Sequence, residues 1–389
     1  MVFFLQILLI LFKCVFSAVA SEKVNGFNIF NKNYTYTTNI LNTINTHSPD
    51  RITLVITCSS SYLKPKFEAS ITNWGGPMIL GVLIDDNEII GKQTACAYCT
   101  LKNMKGVNLK LSVHFIYKIR YPDYSEAELM KYLSLVDCKD ESQVESICQM
   151  KKLSFKERVI KSSMFPINVL RNIARREVTT EFMILTDLDH VYSEHFESKM
   201  AALARKELKA GSKKVLVMRF FEVADSIKEP VKNKNELKKL MNAKLATEFH
   251  IKHYGVGHVI PKLPQWFKIE DSDVATVQFK QPYNVVEWEP QIVSRSDIPL
   301  HYDMPYPIHS HTSHRRELCR AGYKFLIVND CFVYHRGFKS KEELKFVKAI
   351  TNVHIKNKIF NKKNRAFEKR LDRIYPKTHN KCPRWTLLL

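Results

Sequence analysis

Strand-like and helix-like segments alternate along this chain from about residue 51, and this alternation limits the folds that it can adopt. Residues 52–57, ITLVIT, form a β-branched run that is typical of a strand. A helix-like stretch follows at residues 63–74, then the breaker GGP, then a second apolar run at residues 78–84. A strand, a helix and a strand in this order indicate a β-α-β unit with two parallel strands.

The same alternation continues toward the C-terminus. Further strands are predicted at residues 109–119, 182–186, 215–218 and 325–328, and helical segments at residues 165–177 and 341–375. We therefore expect one α/β domain over residues 51–389, with a mostly parallel sheet flanked by helices. Because ligands of open parallel sheets bind beyond the carboxyl ends of the strands, side chains that follow a strand are the first functional candidates.

Two carboxylates, Asp187 and Asp189, directly follow the predicted strand at residues 182–186. The pleat loosens where a chain leaves a strand, so both side chains can turn toward one metal ion, and Mn²⁺ or Mg²⁺ prefers such oxygen ligands. A metal held there can bridge the protein to a diphosphate and neutralise charge on a leaving nucleotide. Acid pairs at strand ends also form ordinary turns. The pair alone therefore does not distinguish a turn from a metal site.

A second group of candidates is the segment Glu287-Trp288-Glu289-Pro290, with Asp303 further along the chain. A carboxylate such as Glu289 or Asp303 can accept the proton of an attacking hydroxyl group. The aromatic face of Trp288 can stack on a sugar. The competing interpretation of this segment is an exposed loop with a packed tryptophan.

A third group, YHRGFK at residues 334–339, follows the strand-like run that begins at residue 325. The imidazole of His335 can complete a metal site begun by two aspartates, and Arg336 and Lys339 can contact phosphate oxygens. A single histidine is more often structural. The HSHTSH stretch at residues 309–314 is interpreted as part of a surface loop.

The formal net charge of +21 at pH 7 indicates a basic surface. Such a surface attracts phosphates, anionic lipids, nucleic acids or acidic glycans. No nucleic-acid-binding motif accompanies the charge, so no nucleic acid partner is expected. The basic run at residues 339–373 also carries acids and is typical of a solvated helix face. With 45% hydrophobic and 25% charged residues, the composition argues against wholesale disorder and against a polytopic membrane protein.

The first twenty residues, MVFFLQILLILFKCVFSAVA, are mostly apolar and end in a small-x-small pattern that signal peptidase accepts. A spanning helix needs roughly 20 apolar residues and Lys13 interrupts this run, so we expect a signal peptide or a short signal anchor. The chain would then act in the Golgi lumen or be secreted, and only an uncleaved N-terminal segment would associate with a membrane. Residues 21–50 are polar and predict a poorly ordered stem.

Eight of the nine cysteines lie outside the N-terminal segment, and an even number suits disulfides in an oxidising compartment. Cys96 and Cys99 are predicted to form disulfides rather than half of a zinc site, because no second pair completes such a site. Cys138 and Cys148 are expected to close a local loop. The sequence NYT at residues 33–35 is an N-glycosylation sequon, which agrees with a secretory glycoprotein.

These three groups of residues, in this order, resemble glycosyltransferase family 49, which includes LARGE-type and β-1,4-glucuronyltransferase-like enzymes. The resemblance covers most of the chain after about residue 50. It rests on FPINVLRNIA at residues 165–174 followed by residues 182–189, on WEP at residues 288–290, and on His335 with GFK at residues 337–339.

The resemblance implies a GT-A-like fold and an inverting transfer of a sugar, glucuronic acid among the candidates, from a UDP-sugar to a glycan acceptor. It implies Mn²⁺ or Mg²⁺ with three protein ligands, namely Asp187, Asp189 and His335. The donor nucleotide would contact four residues, namely Asn168, Arg171, Asp187 and Lys339. Inversion needs a general base on the face opposite the leaving diphosphate. Glu289 is the first candidate for this base and Asp303 the second.

Residues 302–316 depart from the pattern of the family, so the resemblance does not specify the acceptor. The alternative function is that of a catalytically silent glycosyltransferase-like protein that binds a glycan or a partner glycosyltransferase. Retention of Asp187, Asp189 and His335 favours the active enzyme, because a silent protein has no need of all three. A secreted protein that only binds polyanions would rest on charge alone.

Overall fold

The structure is a computed structural model that describes residues 22–41, 47–63 and 67–385. The predicted signal peptide or anchor at residues 1–20 lies outside these ranges. Within them, no helix combines the length and the apolar character that crossing a membrane requires. The strands are β1 (Lys23–Val24), β2 (Phe27–Phe30), β3 (Tyr34–Tyr36), β4 (Ile52–Ser59), β5 (Met78–Leu83), β6 (Leu111–Tyr117), β7 (Phe182–Thr186), β8 (His190–Tyr192), β9 (Lys214–Val223), β10 (Ala246–Glu248), β11 (Val277–Gln281), β12 (Gln291–Arg295) and β13 (Lys324–Arg336).

The α-helices lie between and after these strands. They are α1 (Phe67–Asn73), α2 (Lys92–Lys102), α3 (Val107–Lys110), α4 (Glu126–Leu135), α5 (Glu141–Cys148), α6 (Phe155–Ser163), α7 (Ile167–Arg176), α8 (Phe196–Glu207), α9 (Lys234–Asn242), α10 (Ile251–His258), α11 (Leu263–Lys268), α12 (Thr312–Arg320), α13 (Lys341–Lys356) and α14 (Ile359–Ile374).

The strands form one sheet in the order β1-β2-β3-β6-β5-β4-β7-β12-β9-β13-β11, with β10 beside β9 and β8 beside β13. Strands β6, β5, β4 and β7 pair in parallel, and so do β9 and β13. Strand β12 lies between β7 and β9 and is antiparallel to both. The other central strands therefore point the same way. Their carboxyl ends share one edge of the sheet, here called the carboxyl edge.

Both faces of this sheet are covered. In β7, Phe182 and Ile184 belong to one hydrophobic cluster, whereas Met183 and Leu185 belong to another. Helix α8 supplies Met200 and its neighbours to the first cluster, while α7 contacts β4 and β5 on the opposite face. A strand buried on both faces has a continuous apolar sequence rather than an alternating one, which explains the runs seen in the sequence.

The predicted α/β architecture, a mostly parallel central sheet flanked by helices, is confirmed. The predicted strands at residues 52–57, 78–84 and 182–186 correspond to β4, β5 and β7, and the runs at residues 215–218 and 325–328 lie within the longer β9 and β13. The predicted C-terminal helical region is two helices, because Lys358 adopts a left-handed backbone conformation with φ of 54° between α13 and α14.

The prediction of a poorly ordered stem at residues 21–50 is wrong for much of that range. Strands β1, β2 and β3 extend the sheet, and β3 pairs antiparallel with β6. Phe27, Phe30 and Tyr36 are buried, and Thr35 donates its hydroxyl hydrogen to the carbonyl of Ile119. The polar composition concealed these few aromatic residues, which have enough apolar area to hold a short hairpin on an existing sheet edge.

The cysteines pair differently from the expected local loop. The disulfides are Cys96–Cys148, Cys99–Cys138 and Cys319–Cys382. Disulfide bonding of Cys96 and Cys99 is thus confirmed, but each binds a different partner, and Cys138 does not pair with Cys148. Cys58 and Cys331 are free and buried. Pairing follows the packing of α2 against α5, which proximity along the sequence does not reveal.

Candidate active site

The acid pair lies at the carboxyl edge, where β7 ends. All five residues of β7 are buried, and Asp187 and Asp189 follow at once with side chains that are 52% and 57% exposed. The side chain between them, Leu188, is half-buried and packs against the core. The two carboxylates are thus free to face a ligand while the strand that carries them is held rigidly.

His335 reaches Asp189 because of strand pairing. Strand β8 pairs antiparallel with β13, and His190 lies opposite His335 in this register. The Nε2 atom of His335 is consequently 2.9 Å from Oδ2 of Asp189. Its other ring nitrogen, Nδ1, lies 3.1 Å from the carbonyl oxygen of Gly337 and donates to it. Burial opposes a charge on His335, but the hydrogen bond and the charge of Asp189 raise its pKa above the ordinary value.

Gly337 holds the turn that positions this histidine. Its φ is 91°, a conformation that favours glycine, and a Cβ atom at this position would lie 2.8 Å from Oδ2 of Asp225. Its backbone N–H donates to the carbonyl of Val223 at 2.7 Å. The turn then leads to Ser340, whose side chain caps the first turn of α13 together with Glu343.

Helix α7 presents a buried polar face to the acid pair. Asn168 and Arg171 are three residues apart and therefore lie on the same face of the helix. Arg171 donates to the side-chain oxygen of Asn168 at 3.1 Å and lies 3.4 Å from Oδ1 of Asp187. Its Nη2 also lies 2.5 Å from Nε2 of His311. Arg171 therefore restrains Asp187 from inside the fold.

Asn168 is engaged by the protein rather than exposed to a ligand. It is fully buried, and its amide group donates to the carbonyls of Tyr302 and Ser310 at 2.8 and 2.9 Å. Both amide hydrogens are thus used. Asn168 holds residues 302–310 in place and orients Arg171. An effect of Asn168 on nucleotide binding would therefore be indirect, through these residues.

The donor chemistry at this edge fits a divalent metal. A carboxylate oxygen and an imidazole nitrogen are both ligands that Mn²⁺ accepts, and Asp189 and His335 bring one of each within 2.9 Å. The hydrogen on Nδ1 of His335 leaves Nε2 available as a ligand once its proton is lost, as in many metal sites. Among the described residues, however, no group of three or more His, Cys, Asp or Glu side chains is arranged to hold an ion. Asp187 pairs with Arg171 instead of converging with the other two.

Glu289 reaches the same edge through the antiparallel strand β12. Because β12 runs against its neighbours, the residues that precede its first residue lie at the carboxyl edge. The Glu289 side chain is only 22% exposed. Burial raises the pKa of Glu289 to about 7, with Arg315 and Arg171 opposing this shift and the charge of Asp187 adding to it. A carboxyl group with this pKa can exchange a proton near neutral pH.

The other predicted contacts differ in their surroundings. Asp303, the second candidate base, is exposed and forms an ion pair with Lys363 at 2.7 Å. Lys339 is half-buried near Glu222 and Glu289, and burial lowers its pKa despite the acids around it. Trp288 is 4% exposed and packs with Tyr283 and Phe325, so the interpretation as a packed tryptophan is correct and its face is not available to a sugar.

The interpretation of residues 309–314 as a surface loop is wrong. His314 lies in α12 and is buried. Its ring stacks on that of His301 with centroids 3.9 Å apart. Its Nε2 donates to the carbonyl of Pro299 at 2.9 Å. His311 contacts Arg171 as described above. This segment is a buried polar layer beside Arg171, stabilised by hydrogen bonds that connect distant parts of the chain.

A second layer of side chains at the carboxyl edge was missed in the sequence. Its members are His190, Glu222, His250, His258 and Arg315. His250 lies 3.5 Å from Glu222, and His258 lies 3.4 Å from Glu289. Isolated histidines and acids carry no local motif, so only the tertiary fold brings these pairs together, in part through the pairing of β10 with β9.

A family model described as "Glycosyl-transferase for dystroglycan" matches residues 51–376. Beta-1,4-glucuronyltransferase 1 of Mus musculus is 24% identical over 319 residues, which cover 80% of this chain and 73% of the mouse protein. The xylosyl- and glucuronyltransferase LARGE1 of Gallus gallus is 25% identical over 174 residues, which cover 44% of this chain and 22% of the chicken protein.

Among solved structures, a crystal structure of GalNAc-T7 with UDP, GalNAc and Mn²⁺ gives a TM-score of 0.36 at 10% identity and covers 78% of this chain and 48% of that chain. The crystal structure of S. aureus TarS 1-349 in complex with UDP also gives 0.36, at 11% identity, and covers 85% of this chain and 73% of that chain. The match over residues 51–376 spans most of the sequence, and the chain belongs to this glycosyltransferase family.

Proposed function

We propose that this protein transfers a sugar from a UDP-sugar to a glycan acceptor, with inversion at the anomeric carbon and with Mn²⁺ or Mg²⁺ as cofactor. Glucuronic acid is the first candidate sugar, because relatives are named as glucuronyltransferases. The observation that carries the proposal is the contact of 2.9 Å between Asp189 and His335 at the edge where Glu289 also lies.

Asp187, Asp189 and His335 are the residues that would hold the metal. When bound, the metal neutralises charge on the leaving diphosphate. Asp189 and His335 already contact each other, whereas the carboxylate of Asp187 contacts Arg171. That contact is 3.4 Å long and Asp187 is half-exposed, which makes it a weak restraint. Lys339 lies on the same edge and adds positive charge for a phosphate.

Glu289 is the proposed general base. Its burial and its pKa of about 7 suit a group that takes the proton of an acceptor hydroxyl near neutral pH. Asp303 is the weaker candidate, since it is exposed and Lys363 already pairs with its carboxylate at 2.7 Å.

A secretory setting belongs to the same proposal. Three disulfides occur in the described residues, and disulfides persist in oxidising compartments. Asn33 of the sequon is exposed between β2 and β3, where a glycan can project into solvent. The apolar segment at residues 1–20 supports entry into this pathway.

The alternative is a catalytically silent protein of the same fold that binds a glycan or a partner glycosyltransferase. One observation favours it. Among the described residues no three side chains are arranged to hold a metal ion, and Asp187 forms an ion pair with Arg171. The alternative therefore predicts that the carboxyl edge binds no metal.

The test is a screen of UDP-sugars for hydrolysis and transfer, with and without Mn²⁺. Turnover should require the metal, and Asp189→Asn should lower it at least 100-fold without changing the thermal unfolding temperature. Asp273→Asn is the matched control, because Asp273 is exposed. Absence of both Mn²⁺-dependent binding and turnover for every UDP-sugar would instead support the silent protein.

A further inference from the structure

Helix α10 contacts the segment of the proposed base at three points. The backbone N–H of Glu289 donates to the carbonyl of Gly257 at 2.8 Å. The hydroxyl of Tyr254 donates to the carbonyl of Glu287 at 3.4 Å. The third point is the side chain of His258, whose Nε2 lies 3.4 Å from Oε1 of Glu289. One short helix thus holds the backbone of Glu289 by a hydrogen bond and places the His258 ring beside its carboxylate.

The shape of α10 depends on the position next to His258. Tyr254 departs from helical geometry with φ of −151° and ψ of 44°. A Cβ atom at position 257 would lie 2.2 Å from the ring of Tyr254, so only glycine leaves room for that ring. The bend produced in this way turns Tyr254 and His258 toward the same segment of the chain.

His258 is enclosed by rings. Its imidazole packs edge to face against the side-chain rings of Phe249, Tyr254 and His250, with ring centroids 4.8, 5.8 and 5.5 Å away. Burial lowers the pKa of His258 to about 3, and the positive charge of Lys339 and the neighbouring His190 add to this effect. The ring is therefore uncharged at neutral pH and has one N–H to donate. The carboxylate of Glu289 lies 3.4 Å from Nε2 of this ring and is an acceptor for such a hydrogen.

We propose that His258 is a positioning residue for Glu289, donating its Nε2 hydrogen to Oε1 so that Oε2 faces the acceptor hydroxyl. This inference rests on the proposed role of Glu289 as base. During transfer the acceptor oxygen bonds to the anomeric carbon and its proton passes to Oε2. The bond from that carbon to the diphosphate breaks, and UDP leaves with the electron pair. His258 keeps its proton throughout.

The charges around the pair support this division of roles. Arg315, Arg171 and Lys339 stabilise the carboxylate form of Glu289, and Asp187 opposes it. An uncharged imidazole adds direction to the carboxylate without adding another charge, because a hydrogen bond depends on angle as well as distance. Such outer partners of a reacting group typically change activity about 10–100-fold when they are removed.

The test compares two substitutions of similar size. His258→Met removes the N–H, whereas His258→Gln keeps an amide N–H near the same place. His253→Met is the matched control, since His253 lies on the same helix and is exposed. His258→Met should lower kcat about 10–100-fold with little change in KM for the donor. It should also move the acid limb of the pH profile to higher pH, because the carboxylate loses a hydrogen bond. His258→Gln should recover part of both effects, and His253→Met should resemble the wild type.

Two outcomes would overturn the inference. One is that His258→Met leaves kcat and the pH profile unchanged. The other is that both His258 variants lose activity only in proportion to a lower unfolding temperature. A measurement on the wild-type protein serves if a variant fails to fold: ¹⁵N chemical shifts at pH 7 should show a His258 ring protonated at Nε2, and a ring protonated at Nδ1 alone would contradict the proposal.

Glu289→Gln separates this inference from the proposed function. If that variant retains wild-type kcat, Glu289 is not the base, and the proposed function fails at that point. If Glu289→Gln is inactive while His258→Met is normal, only the positioning role of His258 is wrong.

Discussion

The imidazole of His335 and the carboxylate of Asp189 are 2.9 Å apart, although 146 residues of chain separate them. The contact exists because β8, which directly follows the acid pair, pairs with the end of β13. It joins two sequence motifs that are each weak alone into one candidate site.

Replacing His335 with alanine should raise the Mn²⁺ concentration needed for half-maximal activity at least tenfold, because one of three proposed ligands is lost. A titration of activity against Mn²⁺ for His335→Ala, with His253→Ala as an exposed control, measures this. The requirement for Mn²⁺ should also ease as pH rises through the raised pKa of His335, since the metal competes with a proton on Nε2. An unchanged metal requirement in His335→Ala would remove His335 from the ligand set.

The pH dependence of kcat should report Glu289. Burial raises the pKa of this carboxyl to about 7, so its basic form is scarce below that pH and predominates above it. We therefore expect kcat to rise as the pH increases through about 7. The measurement is kcat between pH 5 and about 9 at saturating donor, acceptor and Mn²⁺. A kcat that stays constant between pH 5 and about 9 would contradict the assignment of Glu289 as the base.

Asn168→Asp should destabilise the fold by roughly 2–4 kcal/mol. The substitution places a carboxylate oxygen where an amide now donates, and it leaves the carbonyls of Tyr302 and Ser310 without their partner. Urea denaturation measures this difference, with Asn352→Asp on the exposed face of α13 as the control. A variant of normal stability that binds UDP weakly would instead mean that Asn168 contacts the nucleotide directly.

Gly337→Ala should be more harmful than Gly211→Ala. Both glycines have positive φ, 91° and 74°, so each substitution strains the backbone by about 1–2 kcal/mol. A Cβ atom meets nothing within 4 Å at position 211, but it lies 2.8 Å from Asp225 at position 337. We expect Gly337→Ala to lose further stability and to raise the Mn²⁺ concentration needed for half-maximal activity, because the turn holds His335. Equal unfolding temperatures and activities in the two variants would contradict this account.

Much of the sheet could be predicted from short stretches of sequence. The run at residues 182–186 is β7, and the acids that follow it lie at the carboxyl edge as expected. A doubly buried strand needs a continuous apolar run, and such a run is a local property of the chain. The hairpin β2–β3 was missed because its buried residues Phe27, Phe30 and Tyr36 are sparse within a polar stretch.

Long-range relationships could not be predicted in this way. The sequence does not reveal that β12 runs antiparallel to β7 and β9. This direction brings Glu289 to the edge of the sheet where the acid pair lies. The partners of Cys96 and Cys99 depend on how α2 packs against α5. In each case the deciding interaction joins residues that lie far apart in the chain.

The sequence by itself determined the α/β alternation, the acid pair Asp187 and Asp189 after a buried strand, and the candidates His335 and Glu289, because periodicity and strand ends are local signals. Only the tertiary structure decided that Arg171 contacts Asp187, that Asn168 holds the segment at residues 302–310, and that His258 lies beside Glu289. The physical reason is that a side chain acquires its partner, its burial and its pKa from strand register and helix packing, which bring distant residues within a few ångströms of one another.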